Sequence, residues 1–283
     1  MKTIFLTLIL LISLCSFGQI QRDFQKAEIH FKNGETLKGW IYDEFAQSDK
    51  QSKSDEKGSK YFTGTSTFDM ASRYANFPTV LKKITYKENY DDGQQQQFPD
   101  DSIDFVIVNN PDGTSSTYQT LQFIRPSLDE NKESIRMDTV NRKIWAPLLK
   151  EGKLKLYGFF TWQNYKRSSW SDVYFQFENE DYAYQFYLPH KIYKFDTHQN
   201  HAKKAIEQAF RNCPYFMKNL ETISSGFIED LKNSFSSFTK EEGQLIKSYP
   251  KDQRQMIEYE VMEKRSYVPY FNLYNLYMQH CGQ

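Results

Sequence analysis

The apolar residues of this chain change their spacing once, near Asp196, and that change restricts the fold more than any other feature of the sequence. Before it they recur at every second position, as in Ala27, Ile29 and Phe31, in Val173, Phe175 and Phe177, and in Tyr182, Tyr184 and Phe186. Successive side chains of a strand point to opposite faces, so this spacing describes strands with one face buried. After Asp196 the apolar positions lie three and four apart, as in Ala202, Ala205, Ile206, Ala209 and Phe210, then Ile223, Phe227, Leu231 and Phe235. That is the spacing of one helical face. Strands first and helices after predict an α+β fold with the helices gathered at the C-terminal end.

Composition agrees. Aromatic residues make up 17% of the chain, nearly all of them Tyr and Phe, and flat rings pack well on a pleated surface. Within residues 19–125 the clearest element is a hairpin. Asn33-Gly34 separates two alternating segments, and that pair suits the positive φ angles of a tight two-residue turn. Further strand signals surround Ile84 and Tyr86, Gln94 to Phe98, and the apolar run Ile103 to Val108, with turns at Asp92-Gly93 and Pro111-Asp112-Gly113. These residues are expected to form a small antiparallel barrel or roll. Residues 48–60 contain no apolar side chain and read as a mobile polar insertion. Residues 126–142 are polar and read as a linker.

A second antiparallel meander is expected over 143–195. It comprises a hairpin turning at Glu151-Gly152, a strand through Val173 to Phe177, an acidic turn at Glu178 to Asp181, and a return strand. Over 196–283 the helical segment is expected to pack on it. Pro214 is expected to end the first helix. Thr239 with Glu242 three residues on matches a capping box. Pro269 suits the first turn of a last helix whose Tyr270, Leu273, Tyr274, Tyr277 and Cys281 share one face.

The N-terminus has the three parts of a secretory signal: Lys2, the apolar run Ile4 to Leu14, and the small residues Ser16 and Gly18. Residues 1–18 are therefore expected to be a signal peptide cleaved between Gly18 and Gln19. The apolar run is shorter than the ~20 residues of a membrane span, which disfavours a retained anchor. A lipid-attachment reading at Cys15 is disfavoured by Leu14, where a small residue is needed. The remaining chain of about 265 residues is long enough for a sizeable core. Its charge is near zero: 36 basic and 36 acidic residues overall, and −1 once Lys2 is removed. Nucleic acid and anionic membrane surfaces call for a basic excess, so neither is expected as a partner.

Removal of the signal leaves two cysteines, Cys213 and Cys281. In an oxidising compartment an even pair suggests one disulfide, here stapling the last helix to the first. Two separate buried thiols are the alternative.

Several short motifs carry a resemblance. Phe31 to Gly39 (FKNGETLKG), Glu151 to Tyr157 (EGKLKLY), Cys213-Pro214, Tyr274-Asn275 with Cys281, and the Phe17-Gly18-Gln19 junction are all present. Together they resemble features of a group of uncharacterised exported proteins of Bacteroidota. The resemblance spans most of the chain after the signal and implies export and architecture, with no activity to carry over. The polar insertion at 48–60 departs from the pattern.

No chemistry-bearing motif is complete. Gly34 to Gly39 has the glycine spacing of a phosphate loop, but Trp40 and Ile41 stand where Lys and Ser/Thr are needed. His198 and His201, with His190 and Asp196 nearby, lack a firm third ligand for a metal. Asp91-Asp92-Gly93 and Asn110 to Gly113 lack the acidic ligands of a calcium loop. His280 and Cys281 are adjacent on a helix and diverge. No catalytic, cofactor-binding or metal residue is therefore assigned. Trp162, Tyr165 and Trp170, on the loop between two strands of the meander, could stack on a sugar or anchor a protein, although core packing is the stronger explanation of such rings. The expectation is an exported non-catalytic module that binds another envelope or extracellular protein in the periplasm, at the outer membrane or outside the cell. A secreted hydrolase and a carbohydrate-binding module, with a glycan as partner, are the alternatives.

Overall fold

The computed structural model describes residues 24–42, 81–91, 94–110, 113–129, 134–163, 168–186, 195–234, 236–251 and 253–282. The signal residues 1–18, the Gly18–Gln19 junction, the insertion at 48–60, Asp92-Gly93 and Tyr165 lie outside them.

Ten strands form one sheet. They are β1 (Phe24–Phe31), β2 (Thr36–Tyr42), β3 (Lys83–Lys87), β4 (Gln96–Pro99), β5 (Ile103–Asn109), β6 (Ser115–Asp129), β7 (Ser134–Lys150), β8 (Leu154–Gln163), β9 (Ser168–Phe177) and β10 (Tyr182–Phe186). Their order is β10-β9-β8-β7-β6-β5-β1-β2-β3-β4, and β10 also pairs with β6. That extra pairing closes β6–β10 into a five-stranded barrel, and β1–β5 continue from it as an open sheet. The expected α+β class, with a small barrel and a C-terminal helical segment, is the class observed.

The strand β6 belongs to both parts. One edge pairs with β7 from Tyr118 to Asp129. The other pairs with β5 over Ser115–Gln119 and then, in parallel, with β10 at Gln122, Phe123 and Ile124. A register shift between Leu121 and Phe123 lies at the handover. Residues 126–142, expected as a linker, are instead mostly the paired arms of the β6–β7 hairpin, from Pro126↔Met137 to Asp129↔Ser134 and on to Phe123↔Val140.

The first hairpin is present, with Ile29↔Leu37 and Ala27↔Gly39 in register. Its turn is one residue longer than expected. Gly34 N–H donates to the Phe31 carbonyl (2.9 Å) and Phe31 N–H to the Glu35 carbonyl (2.9 Å), which makes a three-residue loop. Gly34 takes the left-handed position alone, at φ 89°, as the third residue of such loops does. The Asn33 side chain accepts from Glu35 N–H (3.0 Å).

Among the described residues five helices follow: α1 (Phe195–Ala209), α2 (Pro214–Lys218), α3 (Leu220–Ser234), α4 (Lys240–Ser248) and α5 (Arg254–His280). Pro214 opens α2, since a first helical residue needs no N–H partner; α1 has already ended at Ala209. The capping box at α4 is formed: Glu242 N–H donates to Thr239 Oγ1 (3.2 Å) and Thr239 N–H to Glu242 Oε2 (2.7 Å). Pro269, expected in the first turn of the last helix, sits inside α5 and is buried. Among the described residues no helix is long and apolar enough to cross a membrane.

Alternation along the barrel strands sorts side chains into separate cores. Tyr157, Phe159, Tyr174 and Ala183 face inward with Leu121, Phe123, Ile144 and Ala146. Leu154, Leu156, Phe160, Val173, Phe175, Tyr184 and Phe186 face outward and meet Ile206, Phe210, Phe227 and Tyr270 of the helices. A further core lies on the open sheet around Ile29, Ile41, Ile84 and Val106, and reaches Tyr118 and Trp145 on β6 and β7.

The barrel interior also holds polar groups. Tyr157 Oη donates to Gln119 Oε1 (2.6 Å) and lies 3.1 Å from Gln176 Oε1. Burial pushes the Tyr157 hydroxyl well above its usual range. Gln185 Nε2 reaches Asp172 Oδ1 and Tyr174 Oη, each at 3.4 Å.

Candidate functional site

The β7–β8 turn, the β9–β10 turn and the turn after α1 converge at one end of the barrel, where α5 also ends. Between them is a cleft of about 340 Å³. Its wall contains the bond between Cys213 and Cys281, whose Cα atoms are 5.8 Å apart. The disulfide favoured from the cysteine count is thus present. Cys213 occupies the position before α2, its N–H bonded to the Phe210 carbonyl (2.9 Å), and is buried. Cys281 follows the last turn of α5, its N–H bonded to the Tyr277 carbonyl (2.8 Å). The bond joins the α1–α2 junction to the end of α5 across 68 residues of chain.

Three rings make the floor. Phe177, Phe210 and Tyr277 meet pairwise, with centroids 5.2 Å (Phe177–Tyr277), 5.8 Å (Phe177–Phe210) and 5.9 Å (Phe210–Tyr277) apart. Phe210 is backed by a parallel stack on Phe216 at 4.3 Å. Outside the cleft, His280 stacks on Tyr215 at 3.6 Å, which holds the final turn of α5 from the other side.

The rim is polar. Glu178, Asn179 and Glu180 come from the β9–β10 turn, Lys153 from the β7–β8 turn and Asn212 from the turn after α1. Glu178 N–H donates to the Lys153 carbonyl (2.9 Å), which ties the two strand turns together. Gln176 Nε2 donates to the Glu180 carbonyl (3.2 Å). Glu180 Oε2 is shielded from solvent, and the Glu180 side chain accepts a hydrogen bond from the Tyr184 hydroxyl. The two carboxylates act on the nearby phenols, though burial acts on them more. Burial raises the Tyr277 hydroxyl, and the charges of Glu180 and Glu178 raise it further. Tyr184 is raised by burial and then by Glu180, against the opposing effect of Arg211. The Arg211 guanidinium donates to Tyr184 Oη (3.1 Å) and lies over its ring.

This arrangement can bind, and it has no nucleophile with a base beside it. Cys281 is committed to the disulfide, so His280 has no thiol to activate. Among the described residues no group of three or more His, Cys, Asp or Glu could hold a metal ion. His198 and His201 both lie on α1. The register of the β8–β9 hairpin pairs Trp162 with Ser169 and Thr161 with Trp170.

Sequence reasoning found the disulfide and missed the cleft around it. The acidic turn at Glu178 to Asp181 and the turn at Glu151-Gly152 were legible separately. Their meeting with Cys213 and Tyr277 depends on α1 and α5 packing on the same barrel end, which no local pattern encodes. No family model, curated protein or solved structure matches this chain.

Proposed function

We propose that this chain is an exported, non-catalytic binding module that engages another envelope or extracellular protein through the cleft at its disulfide end. The observation that carries the reading is the Cys213–Cys281 bond in the cleft wall. A disulfide persists where thiols are not kept reduced, which supports a site of action beyond the cytoplasm. The cleft it braces has an aromatic floor and a polar rim, the composition of a recognition site. The signal-like N-terminus and the resemblance to exported Bacteroidota proteins support the same address.

The test is photo-cross-linking in the native envelope, with a photoreactive residue at Asn179 or Asn212 on the cleft rim and another at Lys32 on the distant first hairpin. One protein captured reproducibly from the rim positions and not from position 32 is the expected result. Equal capture from all three positions, or none above background, overturns the reading and directs attention to glycan arrays and hydrolase screens.

A further inference from the structure

We propose that the open sheet, on the face turned away from its buried core, binds an acidic polysaccharide. Sugar rings stack on Trp40 and Tyr90, and uronate carboxylates pair with Lys26 and Lys87. The inference goes beyond the cleft reading and does not depend on it, since β5 separates these strands from the barrel. Alternation decides which residues share the face. Ala27, Ile29, Ile41, Ile84 and Tyr86 are buried on one side, so Phe24, Lys26, Glu28, Trp40, Tyr42 and Lys87 stand on the other. Register then sets them in rows. Trp40 lies opposite Lys26 on β1 and opposite Lys87 on β3, so one indole stands between two lysines across three strands. In the next row Phe24 faces Tyr42, with ring centroids 5.5 Å apart. Tyr90, just beyond β3, meets Trp40 edge to face at 5.0 Å and keeps 39% of its surface exposed.

Rings open to solvent and interleaved with ammonium groups suit one kind of ligand. A pyranose has an apolar C–H face that packs on an aromatic ring, and its substituents point outward from that contact. Lysines on both sides of the indole then meet carboxylates, which a neutral sugar does not carry. The other charges leave these lysines available. Glu28 is engaged by Lys38 at 2.9 Å, and Glu88 acts on the Tyr86 phenol of the opposite face. Lys26 is exposed and meets no carboxylate among the described residues. Lys87 Nζ lies 4.3 Å over the Phe24 ring and donates to the Tyr90 carbonyl (3.5 Å), with further N–H groups free to turn toward a ligand. Asp91, exposed next to Tyr90, opposes an anion. Single-stranded nucleic acid also uses rings and cations, but its phosphates call for a longer cationic track than these two lysines.

The experiment titrates the oxidised chain without residues 1–18 with a galacturonate hexamer, its carboxyl-reduced galactose counterpart and a deoxythymidine hexamer. NMR shifts of the Trp40 indole and the Tyr90 ring are the readout. The galacturonate hexamer is expected to shift both saturably and to bind about tenfold tighter than the reduced hexamer, the gain from two ion pairs at an open face. Lys26→Gln should weaken it about threefold, and Tyr90→Ala about tenfold, the usual loss of one stacking ring. Asp91→Asn should strengthen it. Lys247→Gln removes the same charge from an exposed position on α4 and should change nothing. Lys26→Gln and Tyr90→Ala alter exposed side chains, and melting curves verify that both are folded; Lys26→Gln carries the test if Tyr90→Ala is not.

Equal affinity for the charged and neutral hexamers, or no saturable shift from either, overturns the proposal. So does a loss in Lys247→Gln equal to that in Lys26→Gln, which would mean attraction without a site. Tighter binding of the deoxythymidine hexamer than of the galacturonate overturns it in favour of a nucleic acid.

Discussion

The ring of Tyr267 lies where a side chain at position 158 would have to be. A Cβ built on Gly158 would come within 2.8 Å of the Tyr267 ring and 2.7 Å of a Leu149 methyl. Gly158 interrupts the outward row Leu154, Leu156, Phe160 on β8, and the gap is the seat for α5. Two more tyrosines of that helix bond to the same region: Tyr259 Oη donates to the Phe160 carbonyl (3.3 Å) and Tyr274 Oη to the Glu151 carbonyl (2.7 Å). The helix is thus laid along β8 by phenols, with a glycine at the closest approach.

Gly158→Ala should therefore destabilise the protein by about 1–3 kcal/mol, the usual cost of overpacking a closed core. Urea denaturation measures it. Adding Tyr267→Leu should recover part of the loss, because the obstructing ring is gone; a double variant no better than the single one would contradict the stated cause.

The Cys213–Cys281 bond closes a loop of 68 residues of separation. In the chain-entropy account such a closure contributes about 4 kcal/mol. Reduction should raise the mass by two hydrogens and lower the melting temperature, and Cys213→Ser with Cys281→Ser should reproduce that drop without reductant. An unchanged mass on reduction would show that the bond does not form in solution.

Stability should fall as pH rises from acid to neutral through one identifiable group. Burial pushes the Glu263 carboxyl on α5 up to about 7 from an ordinary 4.5, with Glu260 adding to the rise and Lys264 opposing it. The folded state then holds its proton more tightly than the unfolded chain does. The contribution is complete below pH 4.5 and is lost as pH passes through 7. Its size is on the order of 2 kcal/mol for a group that keeps some exposure. Glu263→Gln should flatten that part of the stability profile between about pH 5 and 8; a slope equal to the native one would assign it elsewhere.

Arg265 holds α4 in place. Its guanidinium reaches Glu242 Oε2 (3.3 Å), Ser236 Oγ (2.7 Å) and the Asn233 carbonyl, so it joins α5 to the end of α3 and the start of α4. Arg265→Met should cost about 1–3 kcal/mol, as expected for charge-assisted bonds at a partly buried position. Hydrogen exchange should report the loss first in amides 243–248, with the barrel strands protected as before.

The sequence shows most plainly what a few neighbouring residues decide. Asn33-Gly34, the Thr239–Glu242 box and the alternation from Leu154 to Phe186 each carry their own geometry. Pro269 misled because a proline within a long helix is tolerated only when tertiary packing outweighs its missing N–H, and its burial in the middle of α5 depends on chain far from it in sequence. The arms of the β6–β7 hairpin escaped notice because their mostly polar residues show no alternating apolar period in the sequence, while their pairing is read from the backbone alone. The cleft was least visible, because Lys153, Glu178, Cys213 and Tyr277 are brought together only by the closed barrel and the helices on it.

The shared strand β6 has a mechanical consequence. Its backbone runs uninterrupted from the open sheet into the ring, paired first with β5 and then with β10. A pull on the first hairpin would travel through β1 and β5 into β6 as shear across parallel rows of hydrogen bonds. It would enter the barrel through the register shift between Leu121 and Phe123, the point on β6 where the strand can bend. Cutting the gene within residues 126–142 would yield two fragments that each lack an edge, and neither would be a domain.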